Sequence, residues 1–486
     1  MEEAPIVDML TEPATLGIAA AIYLLLQSAS IYAAVHAVFN ARSAQGATAW
    51  AIALVATPLI ALPLYLVLGR NRFHGYVSAR RMVDAEHADV IRQVNTFCDA
   101  FRSDLAGPRG TLHSLEQMAR LPFTRGNSIK LLIDGEAAFA AIFDAIDSAR
   151  KYLLIQFFII RHDELGEKLK EKLIGKVREG VAVYLLYDEI GSHKLSARYI
   201  RECREGGIDM RPFHTTKGLA NRFQINFRNH RKIVVADGRI AFLGGLNVGI
   251  EYLGKDERVG HWRDTHASVV GPAADALQLI FFEDWHWATG EILNELDWTS
   301  QADGDADALV LPSSPADKLE TCNLMFIAAI NASLSRFWIA SPYFVPNDEV
   351  IAALQLAALR GVDVRVLLPA NPDHWMVYLA SFSYIGRTGM KGIRFYRYTH
   401  GFMHQKVFLV DDMATGVGTA NIDTRSFRLN FEITLLAVNR ELADKTGAMF
   451  ERDFAESVLV AHDELDKRSF FFRLGAKSAR LLSPIL

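Results

Sequence analysis

At 486 residues the chain is about twice the size at which a single hydrophobic core stops growing, which excludes one simple domain and predicts two globular units or two halves of one pseudo-symmetric unit. Half of the residues are hydrophobic and 22% are charged, a composition that excludes disorder and leaves apolar segments to spare for a bilayer. The 52 Lys and Arg against 56 Asp and Glu leave a formal charge of -4, so there is no global attraction for nucleic acid and any basic site is local.

Residues 1–72 read as a membrane hairpin. Between positions 13 and 69 the only formally charged residue is Arg42, which divides two apolar runs at about 16–39 and 50–68, each long enough to span a bilayer. A cleaved signal peptide competes for the first run, but Glu2, Glu3, Asp8 and Glu12 stand where such a peptide has a basic start. Pro58 and Pro63 also suit a bent or re-entrant second segment, and a buried soluble helix is the bland alternative. Arg70, Arg72, Arg80 and Arg81 follow, and basic flanks favour the cytoplasmic side, which the N-terminus and the globular part share when both runs span. Residues 73–125 read as a mostly helical, polar connector without chemistry.

The remainder repeats itself at a separation of about 170 to 190 residues. Each copy has a buried apolar strand, at 152–160 and 337–345, then an amphipathic helix closed by Gly180 or Gly361, then a second apolar strand. Strand, helix, strand implies parallel pairing, so the expected fold class is α/β, with two pseudo-symmetric modules at 126–300 and 301–486. The polar stretch 300–317 reads as their linker. Residues 470–486 mix Phe471, Phe472, Leu474, Leu481 and Leu482 with Arg473, Lys477 and Arg480 at helical spacing, which fits either an anionic leaflet or a helix packed on the protein.

Within the copies, His230, Lys232, Asp237, Gly244 and Asn247 recur as His404, Lys406, Asp411, Gly418 and Asn421, with 17 residues from His to Asn both times. One match to five fixed positions has a chance probability of roughly one in ten thousand for a chain this long, and two in register exclude accident. His and Lys two apart on a strand share a face, so an imidazole and an ammonium approach one ligand. Asp237-Gly238 signals a hairpin that returns Asn247 towards them. Two facing copies then surround a phosphate with donors, where charge develops on the equatorial oxygens. Asn247 and Asn421 are the candidate neutral phosphate donors.

Two imidazoles also permit a covalent route, one attacking phosphorus while the other protonates the departing alcohol, with a bell-shaped pH dependence. Asp264 and Glu432, 34 and 28 residues past their histidines, are the candidate orienting carboxylates. Asp237 and Asp411 belong to the catalytic set by position in the motif, but a carboxylate at a hairpin turn better suits capping the turn or pairing with a basic residue. Arg222, Arg228, Arg231, Arg425 and Arg428 suit lipid phosphates or structural roles equally. His36, His214 and His261 gain no support, and no cluster has metal-ligand spacing. The three cysteines, Cys98, Cys203 and Cys322, are scattered and odd in number, which points to a reducing compartment without a disulfide framework.

The doubled motif resembles the signature of the phospholipase D superfamily. Asn226-Phe-Arg-Asn-His-Arg-Lys-Ile-Val-Val, Gly249-Ile-Glu-Tyr-Leu-Gly, Trp262-Arg-Asp-Thr-His, Pro372-Asp-His, Arg425-Ser-Phe-Arg-Leu-Asn-Phe-Glu and the Leu-Leu-Ser-Pro-Ile-Leu ending resemble bacterial cardiolipin synthases specifically. The resemblance covers nearly the whole chain. It implies a multi-pass enzyme of the bacterial inner membrane that converts two phosphatidylglycerols to cardiolipin and glycerol at the interface of the modules, without a cofactor. His230 is then the nucleophile and His404 the general acid. Thr419 stands where relatives often have Ser, with Gly245 at the matching place, so a hydroxyl is kept in one copy only. A phospholipase D, or a transphosphatidylase using another alcohol such as ethanolamine, fits the same chemistry. The hairpin and the charge balance speak against a nucleic-acid phosphodiesterase, and both complete motifs against a noncatalytic scaffold. Oligomeric state is not readable.

Overall fold

The computed structural model describes residues 13–41, 43–69, 99–105, 107–213, 226–298, 301–461 and 463–483. Arg42, the basic flank from Arg70 to Arg81, Cys98, His214, Arg222 and most of the expected connector lie outside them. The chain divides into two compact units, one of residues 1–75 with 215–227 and one of 76–214 with 228–486.

In the first unit, α1 (Pro13–Asn40) is followed by α2 (Ala44–Ala56) and α3 (Pro58–Leu68). Ser43 caps α2 by accepting from Gly46 N–H. The second apolar run is therefore not one helix. Pro58 has no N–H to donate and excludes helical geometry from the residue before it, so Thr57 sits at φ -137, ψ 62 and the run splits. The helices pack through small side chains, Ala33, Ala34, Ala37 and Ala61, around Tyr65, whose hydroxyl meets His36 Nδ1 at 2.8 Å. Leu25, Tyr32 and Phe39 face outward. Among the described residues, Gly17–Asn40 is the helix long and apolar enough to cross a membrane.

The second unit is built on one 16-stranded sheet. Its first half holds β1 (Thr124–Ile133), β2 (Tyr152–Phe157), β3 (Ala182–Asp188), β4 (Asp209–Phe213), β5 (Arg228–Asn229), β6 (Ile233–Ala236), β7 (Ile240–Gly244) and β9 (Thr265–Val270), with the two-residue β8 (Trp262–Arg263) apart from the sheet. The second half holds β10 (Ala306–Ser313), β11 (Arg336–Ala340), β13 (Asp363–Pro369), β14 (Ile393–Tyr398), β16 (Val407–Val410), β17 (Ala414–Gly418), β19 (Asn430–Val438) and β20 (Ser457–Leu459), with β12 (Phe344–Val345), β15 (Phe402–Met403) and β18 (Ile422–Asp423) apart.

The order β20-β14-β13-β11-β16-β17-β19-β10-β1-β9-β7-β6-β2-β3-β4 reads the same outward from the centre in both directions, β20 aside. In each half the expected parallel strands pair, β2 with β3 and β11 with β13, and the motif hairpin pairs antiparallel, β6 with β7 and β16 with β17. The halves join where β1 pairs antiparallel with β10. The stretch 300–317, expected as a linker, thus contains a central strand. In the described part of the connector Asp99, Ala100 and the helix α4 (Thr111–Ala119) are helical, and β1 begins at Thr124.

Alternation places the core on both sheet faces. Leu153, Ile155 and Phe157 pack under α5 (Asp134–Ser148) and α6 (Glu164–Arg178), the latter capped by the Asp163 side chain on Leu165 and Gly166 N–H. From the other face Gln156 reaches Asp284 on α7 (Pro272–Thr289) at 2.8 Å.

Candidate active site

The histidines lie just ahead of their strands, on extended segments that leave the sheet. His230 follows β5, which pairs in parallel with the start of β19, the second half's strand, and its N–H donates to Phe431 O at 3.0 Å. The mirror arrangement holds His404: β15 pairs in parallel with β8, and His404 N–H donates to Arg263 O at 2.8 Å. Main-chain pairing therefore exchanges partners between the halves. Each histidine is held by the carboxylate of the other copy, His230 Nδ1 by Glu432 Oε2 at 2.8 Å and His404 Nδ1 by Asp264 Oδ2 at 2.9 Å. The sequence picked out the two carboxylates but placed each with its own histidine, and the structure corrects that assignment.

Lys232 and Lys406 come to the same place. The Lys232 ammonium donates to His230 O at 2.6 Å, and Lys406 lies 2.9 Å from both ring nitrogens of His404. All six groups are buried. Phe158 stands edge-on to His230, and Trp262 and Phe402 flank His404. Burial and the neighbouring ammonium set the charges: burial pushes the Lys232 ammonium down to about 7 and Lys406 to about 8. It also pushes His230 down to about 4 against the pull of Glu432, and His404 well below its ordinary value, helped by Lys406. Burial works against the Glu432 carboxylate, yet His230, Lys232 and Thr419 hold it below the usual range. Both imidazoles are therefore neutral; the hydrogen bond to the carboxylate assigns the proton to Nδ1 and leaves Nε2 with its lone pair.

Glu432 is the more heavily supplied carboxylate, accepting from Thr419 Oγ1 at 2.6 Å, Ser426 Oγ at 2.9 Å and Asn430 Nδ2 at 3.0 Å besides His230. This accounts for the lone hydroxyl of the second motif. At the matching place in the first copy, a Cβ on Gly245 would lie 2.1 Å from Asp264 Oδ1, so the position has to be glycine. The chain behind each carboxylate is clamped by a buried arginine. Arg231 donates to Glu432 O at 3.1 Å and is anchored by Asp284 at 2.7 Å, while Arg263 donates to Asp264 O at 2.7 Å and is anchored by Asp453 at 2.7 Å. Arg263, Asp284 and Asp453 carry no motif signal and escaped the sequence reading. Arg231 was a candidate for lipid phosphate, but it is wholly buried in this clamp; Arg428 is paired with Glu320 at 2.9 Å. Arg228, by contrast, stands beside the site, its Cα in register with Asn430. Arg425 follows the Asp423 that caps the turn bearing Ser426.

One other expectation needs correction. Asp237 and Asp411 stand apart from the histidines. Asp237 accepts from Arg150, Lys151 and Tyr152 N–H at 2.7 to 2.9 Å, and Asp411 from Leu334, Ser335 and Arg336 N–H. Each sits at positive φ in the hairpin turn, 53° and 52°, and through these N–H groups the motif's aspartate pins the loop that enters β2 or β11. Asn247 Nδ2 donates to Tyr252 Oη at 3.0 Å and Asn421 Nδ2 to Asp423 Oδ2 at 3.3 Å, one acceptor for each two-hydrogen amide nitrogen. Asn247 Oδ1 further accepts from Ile159 N–H at 3.0 Å, which ties the hairpin to the end of β2. Among the described residues no group of His, Cys, Asp and Glu could hold a metal ion.

The family described as cardiolipin synthase, PLD-like domain matches the chain twice, at residues 142–264 and 326–454, and phospholipase D-nuclease N-terminal matches residues 28–70. The chain is 46% identical over 465 residues to cardiolipin synthase A of Pseudomonas fluorescens, covering 95% of this chain and 97% of that one. It is 47% identical over 466 residues to cardiolipin synthase A of Pseudomonas aeruginosa, covering 95% of each. Among solved structures, phosphatidylserine synthase of Haemophilus influenzae superposes with a TM-score of 0.58 at 14% identity, over 77% of this chain and 100% of that one, which is a likeness of fold.

Proposed function

From the premise that this chain belongs to the cardiolipin synthase family of phospholipase D-like proteins, we propose that it transfers a phosphatidyl group from one phosphatidylglycerol to a hydroxyl of a second, forming cardiolipin and releasing glycerol. It is a phosphatidyltransferase that associates with membranes and takes phospholipid substrates. The observation that carries the mechanism is the crossed pairing of His230 with Glu432 and His404 with Asp264, which brings two Nδ1-anchored imidazoles to one buried site.

The steps balance without nucleotide or metal. The anionic phosphodiester binds between the Lys232 and Lys406 ammonium groups, and its charge raises the proton affinity of the adjacent imidazoles. His230 Nε2 forms a bond to phosphorus as the bond to the glycerol oxygen breaks, and His404, protonated in the complex, supplies that oxygen with its proton. The second phosphatidylglycerol then gives its hydroxyl proton to His404 and displaces His230 from phosphorus. Glu432 and Asp264 keep the Nδ1 protons in place throughout. One phosphodiester is exchanged for another, so mass action sets the direction.

The two halves, at 126–300 and 301–486, act as one catalytic body behind a hairpin in residues 1–72. In this reading α1 makes one span and α2 with α3 a broken second, and the basic residues from Arg70 to Arg81 keep the catalytic halves on the cytoplasmic side of the inner membrane. The chain takes no nucleic acid, in keeping with its charge of -4. Incubating the membrane-embedded protein with labelled phosphatidylglycerol tests the activity: cardiolipin and glycerol in equal amounts are expected. Phosphatidic acid as the main product would make it a hydrolase, and a new phospholipid on adding ethanolamine would make it a general transphosphatidylase.

A further inference from the structure

The helix Phe470–Leu481 has two unlike faces. Its inner face is fixed to the catalytic unit: Ala476 and Ala479 are buried, Phe472 stands edge-on to Phe382 at 5.0 Å, and Ser483 Oγ meets Tyr384 Oη at 2.9 Å. Along the outer face Phe470, Phe471, Leu474 and Leu481 are 70%, 81%, 52% and 75% exposed. At 3.6 residues per turn Phe470, Phe471, Leu474 and Leu481 lie within one arc of about 100°, with Lys477 on its border, so they form one apolar face and not scattered side chains. The helix carries Arg473, Lys477 and Arg480 and no acidic residue. Among the described residues, neither Lys477 nor Arg480 has an acidic partner within 4 Å. On the neighbouring helix Trp375–Thr388, Trp375 and Met376 are exposed as well. That helix begins at the loop of Asp373, whose charge is felt by both His404 and Lys406.

We propose that the outer face of Phe470–Leu481 docks the catalytic unit on an anionic bilayer surface, the phenylalanines and leucines entering the acyl boundary while Lys477 and Arg480 meet lipid phosphates. Cationic flanks on an apolar strip match an anionic leaflet, and the docking rests on the reading that the substrate is a bilayer phospholipid. A helix packed firmly from behind keeps that strip in a fixed orientation to the Asp373 side of the site. The lipid headgroup is then delivered to the site from the surface on which the enzyme already stands.

The test uses the full chain with Cys98→Ser and Phe471→Cys bearing an environment-sensitive fluorophore, since Cys203 and Cys322 are buried. Reconstituted in vesicles containing phosphatidylglycerol, the label at 471 is expected to shift to the blue and to be quenched by nitroxide lipids, while a label at the exposed loop position of Leu334→Cys stays in water. Quenching at neither position, or equally at both, overturns the proposal. With Phe470→Ser and Phe471→Ser combined, the KM for vesicle phosphatidylglycerol is expected to rise about tenfold with kcat kept; an unchanged KM overturns it too. Lys477→Glu is expected to abolish the preference for anionic vesicles. Fluorescence needs no turnover, so protein that docks but makes no cardiolipin counts against the transferase reading alone.

Discussion

Glu432 accepts the Nδ1 proton of His230 at 2.8 Å, although the two residues stand 202 positions apart and belong to opposite halves of the repeat. Neither half contains a complete imidazole–carboxylate pair, so neither half alone is a catalyst. Glu432→Gln leaves the shape of the site but allows the imidazole the wrong tautomer. The expected result is a fall in kcat of about a hundredfold or more with KM little changed, and the same for Asp264→Asn. Steady-state kinetics on vesicle phosphatidylglycerol check both, and a loss confined to KM would instead assign the carboxylates to binding.

The pH dependence of kcat/KM follows from these buried charges. His230, pushed down to about 4, loses its nucleophilic lone pair as pH falls through that value. Lys232 and Lys406, at about 7 and 8, lose the charges that hold the phosphodiester as pH rises through theirs. Turnover also needs a proton on His404, which burial and Lys406 hold well below its ordinary value, so the expected kcat/KM is a bell on the acid side of neutrality whose alkaline limb steepens near pH 7 to 8, because that ratio reports the free enzyme. Lys406→Arg, whose guanidinium does not titrate there, is expected to move the alkaline limb.

Gly245→Ala places a methyl group where Asp264 Oδ1 now lies, 2.1 Å from the new carbon. Asp264 has to move and His404 loses its anchor, with an expected loss of about a hundredfold in kcat. Thr419→Val, at the matching place, removes one of the four donors on Glu432, and about tenfold is expected, the equivalent of about 1.4 kcal/mol.

Asp237→Ala and Asp411→Ala are expected to lower stability more than chemistry. Each frees three backbone N–H groups at a strand entrance, a cost of about 2 to 3 kcal/mol, while activity per folded molecule is kept. Burial works against the Asp411 carboxylate, but the N–H groups of Arg336, Ser335 and Leu334 hold it below its ordinary value. Its contribution is therefore full above the unfolded value and lost as pH falls through the folded one. Thermal unfolding of the detergent-solubilised protein between neutral and acid pH checks the direction.

The motif and its hairpins were legible because they are local: the His-to-Lys spacing, the Asp-Gly turn and the apolar strands all lie within a few residues of one another. The exchange of carboxylates was not, because main-chain pairing of β5 with β19 and of β15 with β8 is tertiary and leaves no trace in spacing. Arg231 suited a lipid phosphate and a structural role equally in sequence, since nothing nearby announces Asp284, 53 residues on. The stretch 300–317 read as a linker from its Asp, Gly, Ser and Pro content, yet Ala306–Ser313 is held as a strand by β1 on one side and β19 on the other. The split of the second apolar run at Thr57 was visible in Pro58, and the bent alternative was the one realised.

The proposed transfer passes through a covalent phosphatidyl-histidine formed at a site that both halves share. Rapid acid quenching of the full-length enzyme with phosphatidylglycerol labelled in its phosphate, followed by peptide mapping, measures it directly. Label on the peptide bearing His230, absent in His230→Ala, is the predicted result. Label on the peptide of His404, or turnover with no covalent label on either histidine, would contradict it.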